Sequence, residues 1–278
     1  MNPQLYFLGP EGSFSHMATQ RLFPDGALRP MGDFEEVFEG AENDHESFAI
    51  VPLENNTAGA VDPALDLACS STLDIRAEFH IGIHHALLGK GEAVRDIEVL
   101  FAMDQPYYQC RQFLKNHLSS AKWIPCKSSA DSMYKALEHG NGAAAIGLAK
   151  PGVAKGLNVI QGDIQDRSDN YTRFAILSRY LDFETDQKVA SMRASFAFSL
   201  EDRPGSLLET LEIFKAAGLN MCHLESRPSP DHRWRHRFWI TLEGVSGADD
   251  RLIESYQKVE SSTPWSRFLG AYPLLTSP

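Results

Sequence analysis

Short apolar segments without polar alternation, each closed by a polar turn and followed by a helical pattern, constrain this chain's fold more than anything else in it. Residues 48–53 (Phe-Ala-Ile-Val-Pro-Leu) are apolar on both sides of the pleat, which suits a strand covered on both faces. Residues 5–8, 81–88, 97–101, 143–147 and 174–178 read as further strands. Helices are expected up to about residue 22, over 61–68, 105–117 and 131–138, the last N-capped by Ser128 or Ser129. Strands alternating with helices predict an α/β domain, where ligands lie beyond the C-terminal ends of strands. The polar turns at 9–15 and 54–59 fall at such ends.

A polar stretch at 180–188 marks a boundary, and the pattern after it is β-α-β-β-α-β. Ala194, Phe196, Phe198 and Leu200 alternate as a strand. Asp202 is the expected N-cap of the next helix, with Pro204 near its first position and Gly218 at its end. Asn220 to Arg227 forms the second strand. Trp234, His236, Phe238, Ile240 and Leu242 share one face of the third. Leu252, Tyr256 and Val259 mark a helix, and residues 268–272 the last strand. This is the ferredoxin-like order. A small sheet with one open face commonly pairs with a second copy, so a homodimer or homotetramer is expected.

Length allows two domains in 278 residues. No apolar run approaches the ~18–20 residues that span a bilayer, and the N-terminus has no basic region or long apolar stretch, so a cytoplasmic location is expected. The net charge of −11 argues against nucleic acid or an anionic membrane as partner. An anionic substrate would therefore need local positive charge from an Arg or from helix N-termini. The four cysteines have no C-x-x-C spacing, so neither zinc nor disulfides are expected. His84-His85 and His232 with His236 lack the companions of a metal site, and the basic-aromatic run 232–237 reads as a strand edge. No metal and no cofactor is called for.

The segment Asn170-Tyr171-Thr172-Arg173-Phe174 is a polar turn entering a strand. Together with the turns at 9–15 and 54–59 it could open onto one cleft. Ser13, Ser15 and Thr57 at helix starts would offer donors to a carboxylate, and Arg173 could clamp one bidentately. That set suits a small polyanion.

Asn-x-Thr-Arg-Phe, Gly-Pro-Glu-Gly-Ser-Phe-Ser-His (residues 9–16) and Val-Pro-Leu-Glu-Asn (51–55) resemble the signatures of prephenate dehydratases. Downstream, Pro204-Gly205-Ser206-Leu207 and Glu225-Ser226-Arg227-Pro228 resemble the two phenylalanine-binding motifs of that family's regulatory ACT domain. Leu269-Gly270-Ala271-Tyr272-Pro273 resembles its closing strand. The resemblance implies an α/β protein with three parts. Residues 1–180 form a two-lobed catalytic domain of type II periplasmic-binding-protein topology, 181–191 a linker, and 192–278 a ferredoxin-like βαββαβ ACT domain. It implies decarboxylative dehydration of prephenate, a dianion whose ring becomes aromatic on losing CO2 and its C4 hydroxyl. Thr172 becomes the donor near the leaving hydroxyl, Arg173 the carboxylate binder and Phe174 the packing residue. Ser13, Ser15, Glu54, Asn55, Thr57 and Asn170 line the rest. Gly205, Ser206, Leu207, Glu225, Ser226 and Arg227 bind phenylalanine as effector.

Some positions depart from the family. Asn56 stands where Ser is usual, which could alter one hydrogen bond in the cleft. Met103 and Asp104 replace His-Pro ahead of the matching Gln105, Gln109 and Cys110, and Ser206 replaces Ala. The rival readings are an arogenate dehydratase, a decarboxylase that does not aromatise, and a catalytically silent phenylalanine sensor.

Overall fold

The computed structural model describes residues 3–229 and 236–276. The chain first lays down β1 (Gln4–Leu8), α1 (Phe14–Leu22), β2 (Ala27–Met31), α2 (Phe34–Asn43), β3 (Ser47–Asn55), β4 (Gly59–Ala60), α3 (Asp62–Ser70) and β5 (Asp74–Gly82). It then crosses to a second lobe of β6 (Ala86–Gly89), β7 (Val99–Ala102), α4 (Asp104–Gln109), α5 (Arg111–His117), β8 (Lys122–Pro125), α6 (Ser129–His139), β9 (Ala143–Gly147), α7 (Ala149–Ala154) and β10 (Asn158–Gln161). Residues 162–170 bring it back, and β11 (Tyr171–Ser178) inserts between β5 and β3. The remainder is β12 (Val189–Ser199), α8 (Ser206–Ala216), β13 (Asn220–Pro228), β14 (His236–Glu243), α9 (Asp250–Ser262) and β15 (Trp265–Leu275). Trp234 and the other residues of 230–235 lie outside the described residues.

The first lobe's sheet runs β5-β11-β3-β1-β2 and the second lobe's β10-β6-β9-β7-β8. The apolar run in β3 is buried on both faces, as its lack of alternation requires. Phe48 and Ile50 pack with Ala18 and Leu22 of α1, while Ala49, Val51 and Leu53 pack with α2 and α3. Two expected elements are divided. The run 81–88 is interrupted at 83–85, because there the chain leaves one sheet for the other. The expected helix 105–117 breaks at Cys110, whose backbone (φ −112, ψ 17) separates α4 from α5. Ser128 caps α6 as expected, accepting from Asp131 N–H at 3.0 Å. Asp202 caps nothing. α8 starts after Gly205, whose left-handed φ of 88 ends the preceding turn.

The four strands β13-β14-β12-β15 form an antiparallel sheet with α8 and α9 on one face, over Phe196, Phe198, Ile240 and Leu242. Its other face is not open. Ala197, Trp239, Leu269 and Tyr272 share a core with Leu65, Ala68 and Cys69 of α3. β15 even continues the first lobe's sheet by pairing Leu274 with Glu78 of β5. Gly270 permits that approach, since a Cβ there would lie 2.4 Å from the carbonyl oxygen of Ile75. The open-face reason for expecting an oligomer is thus removed, because the chain covers that face itself. Among the described residues no helix is long and apolar enough to cross a membrane.

Candidate active site

Between the two lobes lies a cavity of about 190 Å³. The first lobe contributes Phe14, Ser15, Pro52, Asn55, Val61, Thr172 and Phe174, and the second Met103, Gln105, Pro106, Gln109 and Ser129. Ile83 and His85 enter from the crossing. Among the described residues the lining contains no Lys, Arg, Asp or Glu. Phe174 is 1% exposed and stacks on Phe79 at 5.5 Å, which locks β11 against β5.

The directions of the hydrogen bonds follow from the backbone. Asn55 Oδ1 receives the N–H groups of Thr57 (3.1 Å) and Ala58 (2.9 Å), so that end of the amide is the oxygen. Asn55 Nδ2 then faces β11 and donates to Asn170 Oδ1 at 2.8 Å and Thr172 Oγ1 at 3.0 Å. Thr57 Oγ1 donates to Asn55 Oδ1 at 2.7 Å and therefore accepts from Gln109 Nε2 at 2.9 Å. Gln109 Oε1 is left facing His85 Nε2 at 2.8 Å. At the end of this array the Thr172 oxygen accepts from Asn55, so its proton is left to donate elsewhere. No described protein group takes it, and the side chain lines the cavity.

Not every residue expected here arrives. Ser15, Asn55, Thr172 and Phe174 line the cavity, and Thr57 and Asn170 hold it from behind. Ser13 caps α1, accepting from His16 N–H at 3.1 Å and donating to the Leu8 carbonyl at 3.2 Å. Arg173 and Glu54 lie on the other side of the sheet. Successive strand residues alternate faces, so Arg173 must point away from its neighbours Thr172 and Phe174. It is 8% exposed, with Nε 3.9 Å from Glu54 and 3.9 Å from Glu78. The notion of Arg173 as a clamp in the cleft beside Thr172 is therefore corrected. Asn56 is also outside. It joins the end of β3 to the return segment, donating to the Asp169 carbonyl at 2.5 Å and accepting from Tyr171 N–H at 2.9 Å. Met103 does enter the lining, with Sδ 3.9 Å from Ser129 Oγ, while Asp104 does not.

The effector candidates are divided between the two faces of the last sheet. Ser206 and Leu207 border a cavity of about 270 Å³ with Arg203, His236 and Phe238. Glu225 and Arg227 pair with Trp239 and Arg237, on the face turned towards the first lobe. Arg227 reaches Asp62 at 2.5 Å and Asp66 at 3.1 Å of α3. Ser226 points to the opposite face, and Gly205 is the turn residue ahead of α8.

Sequence reasoning passed over His85, Gln105, Gln109, Met103 and Ser129 as site residues. The i, i+4 spacing of Gln105 and Gln109, which puts both amides on one helical face, was the available signal. His84 and His85 do diverge, although they lie in the crossing rather than a strand. His84 bonds Asp163 at 2.8 Å in solvent, and His85 is 1% exposed. Among the described residues no group of three His, Cys, Asp or Glu could hold a metal ion.

The profile of the prephenate dehydratase family matches residues 5–181, which contain the whole cavity. The chain belongs to this family. A bifunctional chorismate mutase/prephenate dehydratase of Aquifex aeolicus is 30% identical over 269 residues, covering 96% of this chain and 72% of that protein. The arogenate dehydratase/prephenate dehydratase 2 of Arabidopsis thaliana is 28% identical, covering 98% and 73%. A crystal structure of Arthrobacter aurescens prephenate dehydratase in complex with L-Phe is 30% identical. It superposes with a TM-score of 0.85 over 97% of this chain and 89% of that one.

Behind the dehydratase cavity, Arg173 belongs to a buried charged seam between the first lobe and the last sheet. Glu78, fully buried, pairs with Arg193 and bonds His80 at 3.2 Å and Tyr272 at 3.3 Å. His223 of β13 lies 3.5 Å from Glu54. Burial pulls the pKa of His85 and His223 down, and for His223 the Arg173 charge adds to this. Burial alone would raise Glu78, but the His80 hydrogen bond and the charges of Arg173 and Arg193 outweigh it and leave it below a free glutamate. All three bind fewer protons folded than unfolded, so stability rises with pH across their range. The melting temperature is expected to fall as pH drops below about 6.5, where unfolded histidine protonates, and again below about 4.3, where unfolded glutamate protonates while folded Glu78 still holds its charge. A melting temperature unchanged between neutral pH and about 4 would contradict this placement of the groups.

Proposed function

We propose that the chain is a carbon–oxygen lyase that converts prephenate to phenylpyruvate, CO2 and water. The observation that carries this reading is the Thr172 hydroxyl, oriented by Asn55 with its proton free for a largely apolar cavity. The C–CO2 bond breaks, its electron pair enters the ring, and the C4 oxygen departs as hydroxide and takes a proton from solvent. Thr172 has no useful acidity near neutral pH. Its part is a hydrogen bond that strengthens as charge develops on the departing oxygen. Phe174 and Asn170 hold that donor in place.

With Arg173 on the far side of the sheet, the dianion takes its positive partner from helix N-termini. α1 and α6 begin at the cavity with Phe14, Ser15 and Ser129, one helix from each lobe. The first N–H groups of each helix lack helical acceptors and suit carboxylates. Prephenate is favoured over arogenate because the lining has no carboxylate to pair with arogenate's ammonium group. Given each substrate separately, the enzyme should form phenylpyruvate from prephenate much faster than phenylalanine from arogenate. The reverse preference would make it an arogenate dehydratase.

Residues 1–180 constitute the catalytic domain, 181–191 the linker and 192–278 an ACT domain that senses phenylalanine, with the cytoplasm as the location. The βαββαβ order and the L-Phe complex of the Arthrobacter relative support the sensor. Ser226 is paired with Phe238 of the Ser206–Leu207 cavity whereas Glu225 and Arg227 face the first lobe, and a complete effector site draws further residues from a second copy, in a homodimer or homotetramer. Phenylalanine at about a hundred times its Kd should stabilise the protein by roughly 2.7 kcal/mol and depress turnover. An unmoved melting temperature in large excess of phenylalanine would refute the sensor.

A further inference from the structure

His85 lines the cavity from the crossing between the lobes, as Ile83 does. Its backbone N–H donates to Gln165 Oε1 at 2.9 Å and its carbonyl accepts from Ile164 N–H at 3.0 Å, so it ties the outgoing crossing to the returning one. Its ring stands edge-on to Phe14 of the first lobe, with centroids 5.7 Å apart. Nε2 meets Gln109 Oε1 of the second lobe at 2.8 Å, while Nδ1 is buried without a partner among the described residues. Gln109 in turn holds Thr57, which makes this array the hydrogen-bonded bridge from α4 to Asn55 and Thr172.

We propose that His85 is a positioning residue for the dehydration. Its Nε2–H fixes the Gln109 amide with the NH2 turned to Thr57, and so keeps the second lobe's wall in register with the Thr172 side. Gln109 has two equivalent-looking ends. Only a donor opposite Oε1 forbids the flipped amide, in which Oε1 would face Thr57 and draw its proton away from Asn55. The requirement also selects the tautomer, with the proton on Nε2 and a bare Nδ1. Burial, which disfavours the imidazolium, keeps it so.

This rests on the dehydratase reading, and the experiment separates the two. Prephenate turnover is measured for wild type, His85→Leu, His85→Gln, Gln109→Leu and the double leucine variant, each with its melting temperature. His85→Leu should lower kcat about tenfold to a hundredfold with little change in KM, the loss typical of a group misplaced by about an ångström. His85→Gln places an amide N–H near the position of Nε2 and should restore most of that loss. The double variant should be no slower than Gln109→Leu alone, because the two residues act as one unit. A wild-type rate for His85→Leu, or equal losses in His85→Gln and His85→Leu at native melting temperature, would overturn the proposal, as would additive losses. Should His85→Leu fail to fold, imidazole nitrogen NMR of the wild type decides: a protonated Nε2 with bare Nδ1 supports the assignment and the opposite tautomer overturns it. An inactive wild type would sink the dehydratase reading itself, whereas an active wild type matched by His85→Leu sinks only the role of His85.

Discussion

Thr172→Ala is expected to lower kcat for prephenate by about 10²–10³, roughly 3–4 kcal/mol of transition-state stabilisation, as for loss of one oxyanion-type donor. KM should change little, because the hydroxyl bond matters most when the C4 oxygen carries charge. Folding should survive the change. Asn55 Nδ2 keeps Asn170 Oδ1 at 2.8 Å and the Tyr171 carbonyl at 3.1 Å, so no buried amide is orphaned. Thr172→Ser retains the hydroxyl and should recover most of the rate. A near-wild-type kcat in the alanine variant would remove Thr172 from the chemistry and leave the oriented array as a structural device.

The second large effect is on stability. Glu78→Leu should cost roughly 3–5 kcal/mol, the range for breaking a buried ion pair on one side. Glu78 is fully buried and is the carboxylate nearest to Arg193, with Arg173 3.9 Å away. Leucine would leave both guanidinium groups short of charge in a region where Arg173 Nε and Nη2 and Arg193 Nε already lack hydrogen-bond partners among the described residues. It would also remove the acceptor of the Tyr272 hydroxyl, although Ser195 stays within 2.6 Å of it. A melting-temperature drop of roughly 6–20 °C corresponds to this cost for a protein of this size. A variant that melts with the wild type would mean that the seam is hydrated and its charges independent.

The sequence made the fold legible wherever burial alone determines it. The uninterrupted apolar runs of β3, β9 and β11 and the Ser128 cap of α6 all read directly. The β-α-β-β-α-β order of the last part is equally plain, because helix and strand periods differ. Exposed or bent pieces were not legible. β2 (Ala-Leu-Arg-Pro-Met) has no buried residue to give it a pattern. Nothing local marks the step at residues 83–85, where the change of sheet is set by the packing of two lobes.

For the site, motif and geometry part company at Arg173. Adjacent residues in a motif invite a shared role, yet strand alternation puts Thr172 and Arg173 on opposite faces, and that rule was available from the sequence once β11 was recognised. The same alternation divides Glu225 and Arg227 from Ser226. What no pattern could supply is the company on the far side. The contacts of Arg173 with Glu78, and of His223 with Glu54, join positions remote in sequence, as does the bridge from Gln109 to Thr57.

The most direct test is to follow CO2 and phenylpyruvate together during incubation of the wild-type protein with prephenate alone. Coupled decarboxylation and loss of the C4 hydroxyl at Thr172 require the two products in equal amounts from the first turnover. Release of CO2 without phenylpyruvate would instead make the protein a decarboxylase that does not aromatise the ring, and no product at all would contradict the account and leave an arogenate dehydratase or a silent sensor.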